Sequence, residues 1–150
     1  MVVERPAVIP PLGAMEGLRT LLKVQGPPKL VEETGTDTIS SGTWTTILTT
    51  TVDVHDGAVL TVLAHSVVGR NDTSGKRGHM RLEINSVAQQ IVAFTPEVSG
   101  VAASEQFGVV CSGQEDALPA GTITINLQGR RDAGTGGVTF VQKFMLIWQN

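Results

Sequence analysis

The sequence has no tyrosine, two tryptophans and four phenylalanines in 150 residues, so it offers little aromatic surface for stacking sugars or bases. Its single cysteine, Cys111, excludes an intrachain disulfide, and the Val-Val-Cys run marks it as a small buried apolar residue. Positive charge is scarce. Eleven lysines and arginines against 14 acidic residues leave a net charge of −3, which argues against a dedicated nucleic-acid binder. No apolar run approaches the ~20 residues of a membrane-spanning helix. The opening Met1-Val2-Val3-Glu4-Arg5-Pro6 lacks the basic and apolar regions of a secretion signal, so synthesis in a cytoplasm is expected.

Signatures of chemistry are equally thin. The three histidines, His55, His65 and His79, have no spacing of metal-site type. There is no nucleophile elbow, phosphate loop or dinucleotide fingerprint, and the glycines at 134–137 precede a strand instead of a phosphate-holding helix. Nothing selects a carboxylate pair from Asp53, Asp56, Glu83, Glu97, Glu115 and Asp116. No catalytic, cofactor-binding or metal-binding residue is therefore nominated, no cofactor is expected, and the chain reads as a non-enzyme. Arg70, Lys76, Arg77, Arg130 and Arg131 read as solvated loop charges.

What the sequence does have is threonine, valine and glycine in the pattern of an all-β domain. From Ser40 onward, strands alternate with turn signals every 8–14 residues. Strands are expected over 44–54 and 58–68, joined by His55-Asp56-Gly57 as a hairpin. Further strands are expected over 79–85, 87–94, 105–112, 122–128 and 138–148, with loops at 69–78, 113–121 and 129–137. Met80, Leu82 and Ile84 alternate with polar residues, as do Ile123, Ile125 and Leu127, and each set should face the core.

Two strands break this alternation because both of their faces are apolar. One carries Val59, Leu63 and Val67 on one face and Leu60, Val62, Ala64 and Val68 on the other, with His65 interrupting an apolar face. The final strand carries Val138, Phe140, Gln142, Phe144, Leu146 and Trp148 on one face and Thr139, Val141, Lys143, Met145 and Ile147 on the other. A strand apolar on both faces must be covered twice, once by its own core and once by another subunit. Val59, Leu63, Val67, Val141, Met145 and Ile147 are therefore the expected subunit interface.

Residues 1–41 differ from the rest and read as an arm, with 42–150 as the β-sandwich domain. Five of the seven prolines fall in the arm, which favours extended conformations. Between the proline clusters, Leu12, Met15, Leu18 and Leu22 recur at spacings of three and four, one face of a short helix. A helix of that length is marginal alone, so its apolar face needs a partner.

Asp116-x-x-Pro119-Ala120-Gly121-Thr122-x-Thr124-x-x-Leu127-Gln128, followed by a glycine-rich loop and an apolar strand, resembles the C-terminal half of jelly rolls in tailed-phage virion proteins. Gly42-Thr43-Trp44-Thr45-Thr46, Asp56-Gly57-Ala58-Val59-Leu60 and Arg81-Leu82-Glu83-Ile84-Asn85 fit the front half of the same pattern. Such domains are similar in layout to tumour-necrosis-factor and complement-type jelly rolls. The resemblance covers about residues 40–150 and implies an antiparallel jelly-roll β-sandwich that forms a homotrimer. It implies a non-enzymatic structural protein of a bacteriophage virion on the outer capsid surface. The proline-rich arm favours a capsid decoration (cement) protein that grips the major capsid protein through Leu12, Met15, Leu18 and Leu22, without nucleic-acid or membrane partners. The alternative is a head-fibre, collar or tail-fibre domain binding a receptor or carbohydrate through loops 69–78, 113–121 or 129–137.

Overall fold

A computed structural model describes residues 28–70, 77–94, 107–133 and 137–150 of the chain. The described residues form ten β-strands and no helix. In order they are β1 (Lys29–Glu33), β2 (Asp37–Ile39), β3 (Thr45–Val54), β4 (Ala58–Arg70) and β5 (Arg77–Ile84). Then come β6 (Val87–Ala88), β7 (Val92–Phe94), β8 (Phe107–Leu118), β9 (Gly121–Ala133) and β10 (Val138–Gln149). Two antiparallel five-stranded sheets result. The first runs β1-β10-β4-β8, with β2 also on β10; the second runs β3-β9-β5-β6, with β7 also on β5. This is an all-β sandwich.

The period-two patterns pack as their sequence dictates. Met80, Leu82, Ile84, Ile125 and Leu127 are fully buried on the inner face of the second sheet, and Ile123 nearly so. Leu60, Val62, Ala64 and Val68 close over them from the first. Cys111 lies in this core, where burial pushes its thiol pKa up to about 12 and leaves it unreactive. Gly129 leaves room for a ring: a Cβ there would meet Phe140 Cζ at 2.5 Å. Phe140 packs edge-on to Phe94, with centroids 5.9 Å apart and planes at 85°. Asn85 and Ser86, both at positive φ (50° and 67°), make the two-residue turn between β5 and β6.

Several expectations are corrected. The sandwich begins well before residue 42, because β1 pairs with β10 from Lys29↔Ile147 to Glu33↔Lys143 and β2 pairs with β10 at Asp37↔Phe140. Residues 29–39 thus contribute strands to the sandwich, and Lys29 reaches the second sheet, its Nζ donating to the Thr51 carbonyl at 2.7 Å. The expected face of Leu12, Met15, Leu18 and Leu22 lies outside the described residues. β3 and β4 do not form a hairpin: β3 pairs with β9, while β4 is flanked by β10 and β8. The His55–Gly57 turn, with Gly57 at φ 76°, carries the chain from one sheet to the other. Strands β8 and β9 also run further than their apolar patterns, to Leu118 and Ala133, because backbone pairing continues after alternation ends.

The largest correction concerns β10. Between Val141↔Val67 and Phe144↔His65, two residues oppose the single Ser66, a β-bulge with Gln142 at φ 48°. Ser66 is buried and its hydroxyl donates to the Val141 carbonyl at 3.2 Å, stitching the bulge to β4. The extra residue reverses the strand's phase. Val138 and Phe140 face inward before it; Lys143, Met145 and Ile147 face inward after it.

Candidate functional site

The outer face of the first sheet is apolar across four strands. Register aligns Leu30 of β1, Leu146 of β10 and Leu63 of β4 in one row. The next row aligns Phe144, His65 and Val110 of β8, and Val141 pairs with Val67 beyond the bulge. Leu30 and Val110 are 55% and 52% exposed, and the side chains between them are half-buried. At normal strand spacing and rise these rows cover roughly 300 Å², the size at which an apolar surface patch is often functional. His65 lies flat on Phe144, and its Nε2 sits 2.7 Å from where a Cβ on Gly108 would be. Its Nδ1 is sealed from solvent with no hydrogen-bond partner among the described residues.

Of the six expected interface residues, Val59, Leu63, Val67 and Val141 are half-buried. Met145 and Ile147 do not lie on the outer face. The bulge turns both into the core, and Phe144, Leu146 and Trp148 take the outward positions.

The same bulge buries an ion pair that sequence reading missed. Lys143 has a fully buried side chain whose Nζ meets Asp37 Oδ2 of β2 and lies 3.4 Å from Glu33 Oε1 at the end of β1. Both carboxylates keep contact with water, at 41% and 49% exposure. The pair ties the two N-terminal strands to β10. The adjacent polar pair Gln142-Lys143 inside an apolar run was the available signal.

The outer face of the second sheet is polar and laddered. Thr49 donates to Asn126 Oδ1 at 2.7 Å, and Asn126 Nδ2 donates to Glu83 at 3.0 Å. Arg81 Nε donates to Gln128 Oε1 at 2.9 Å, and Thr122 donates to Asp53 at 2.6 Å. At one corner Trp44 carries two guanidiniums, with Arg81 Cζ 4.2 Å and Arg130 Cζ 4.7 Å from the ring centroid. Arg130 Nε donates to His79 Nδ1 at 3.1 Å, which requires a neutral imidazole. The His79 pKa is lowered, chiefly by desolvation and further by Arg130 and Arg77, against the opposing pull of Asp132. The Arg77 hydrogen bond, at 2.6 Å, holds Asp132 below the usual carboxylate range. Arg77 and Arg130 thus stand on paired strands instead of free loops. Trp44, Phe144 and Trp148 are half-buried on outer faces.

No protein-family model and no curated protein matches the chain. Solved structures do match. The VP2 subviral particle of infectious bursal disease virus aligns with a TM-score of 0.50 and 8% identity, over 83% of this chain and 33% of VP2. The chain thus spans a third of that protein. The Eiger TNF of S. frugiperda aligns with a TM-score of 0.50 and 11% identity, over 83% of this chain and 94% of that one. The likeness is one of fold. It covers a viral shell protein and a TNF-type domain, and neither is close in sequence.

Proposed function

We propose that the protein is a non-enzymatic structural virion protein, a jelly-roll capsid decoration protein that associates as a homotrimer and stabilises the shell of a bacteriophage. The observation that carries this reading is the apolar outer face of the first sheet, centred on Leu63, Phe144, Leu146 and His65. Strands covered by a core on one side and apolar on the other are completed by further copies of the chain around the three-fold axis, as in interfaces that resemble a divided core. The segment preceding β1 supplies the grip on the major capsid protein, through the face of Leu12, Met15, Leu18 and Leu22 expected from its spacing. The fold shared with a viral shell protein and a TNF-type domain is compatible with a structural or receptor-binding sandwich.

The test is the solution mass by light scattering, with and without purified capsid shells from the same source. A stable trimer that co-sediments with shells supports the reading. A monomer would remove the account of the apolar face. A trimer indifferent to shells would favour the second reading, a head-fibre, collar or tail-fibre domain. The specific observation on that side is the Trp44 corner of the second sheet.

A further inference from the structure

In a chain of net charge −3, the outer face of the second sheet gathers Arg81 and Arg130 around one indole, with Arg77 nearby on Asp132. The nearby carboxylates do not neutralise them all. Asp132 is engaged by Arg77 and lies 3.7 Å from Arg130, and Glu83 accepts from Asn126. Arg81 has no carboxylate partner among the described residues. Its Nε is fixed by Gln128 and its plane by Trp44, while its two terminal nitrogens have no hydrogen-bond partner among the described residues. Two guanidiniums on one ring repel each other, and both are held in place before any ligand arrives: Arg130 turns its Nε and Nη2 to His79 Nδ1, while the terminal nitrogens of Arg81 are left to pair. Such an arrangement lacks only an oxyanion, which a guanidinium recognises through paired charge-assisted hydrogen bonds.

The row beside it suits the rest of a sugar. Register places the exposed Thr46 in line with Arg81, two strand spacings of about 4.8 Å away, across the buried Gln128 that anchors Arg81. We propose that this corner binds an acidic saccharide, its carboxylate or phosphate held by the terminal nitrogens of Arg81 beside the charge of Arg130 and a hydroxyl by Thr46. A nucleic acid would need a longer cationic stripe than one corner of an acidic protein provides. This site lies on the opposite sheet from the proposed subunit interface and is independent of it.

The full chain, labelled with nitrogen-15, is titrated while the indole resonance of Trp44 is followed, assigned by its absence in Trp44→Phe. The probes are glucuronate, glucose 6-phosphate, glucose, inorganic phosphate and a short oligodeoxythymidine. Saturable shifts with glucuronate or glucose 6-phosphate are expected, with weaker binding of glucose and of phosphate alone. Arg81→Gln should weaken the acidic sugars by about tenfold or more, and Arg81→Lys, which keeps the charge but loses the fork, by less. Lys29→Gln, which removes a charge that touches the second sheet only at Thr50 and Thr51, far along β3 from Trp44, should change nothing. The proposal is overturned if neither acidic sugar gives a saturable shift, or if glucose, phosphate or the oligonucleotide binds at least as well. The wild-type titration decides this even where an arginine variant fails to fold.

Discussion

The imidazole of His65 lies flat against the ring of Phe144, with centroids 4.9 Å apart and planes inclined by 20°. This stack seals Nδ1 from water without giving it a partner among the described residues. A buried polar atom left unpaired costs about 1–3 kcal/mol. His65→Leu should therefore raise the thermal midpoint and leave association intact, since the outer face stays apolar. A lower midpoint in calorimetry would show that the imidazole has a partner in solution.

Lys143 and its two carboxylates should respond asymmetrically. In Lys143→Met the core gains an apolar side chain of similar length, and Asp37 and Glu33 return to water they already touch. The change should be nearly neutral in urea unfolding. The double variant Glu33→Gln/Asp37→Asn leaves a buried ammonium without charge compensation and should cost about 3–5 kcal/mol. Equal losses in the two proteins would contradict this account.

The proposed interface separates from the core by substitution. Leu63→Asp, on the outer face, should yield a folded monomer by circular dichroism and light scattering. Met145→Asp, fully buried, should fail to fold. A Leu63→Asp protein that keeps its oligomeric mass would place the contact elsewhere.

Removing residues 1–27 should leave a domain as stable as the full chain but unable to bind shells. Removing 1–41 should cost stability as well, because β1 and β2 then no longer cover the edge of β10. Matched urea midpoints for the two truncations would show that those strands contribute nothing.

The Trp44 corner carries a pH signature of defined sign. The folded-state pKa of His79 lies below its ordinary value, so the folded protein binds fewer protons than the unfolded chain between the two values. Its contribution is fully present above about pH 6.5 and is lost as pH falls through the folded value. Asp132, also lowered, contributes above the usual carboxylate range and is lost at still lower pH. Urea midpoints should fall in two steps on acidification. His79→Gln should abolish the upper step and Asp132→Asn the lower. A profile unchanged by either variant would show that the groups do not titrate differently on folding.

The sequence made the strands legible wherever one face was apolar and the other polar, as at Met80, Leu82 and Ile84. Pairing was less legible. His55-Asp56-Gly57 is good turn chemistry, but nothing local says whether such a turn returns within a sheet or crosses to the facing one. The bulge at Gln142 was hidden for a related reason. An apolar strand reads alike in either phase, so only the pairing with Ser66 shows that Met145 points in and Phe144 out. The arginine corner was missed because Trp44 just before β3, Arg81 of β5 and Arg130 of β9 are distant in sequence.

The position of β10 governs when this chain can fold. It lies between β1 and β2 on one side and β4 on the other, so the first sheet stays open until β10 has left the ribosome. Until then β4 keeps an unpaired edge and its apolar row of Leu63 and Val67, a template for other chains. With most pairings this distant along the sequence, closure is also slow. A chain that emerges into a crowd of identical chains thus meets its neighbours with that surface still bare, and the order of folding and association is set by the arrival of Val138–Gln149.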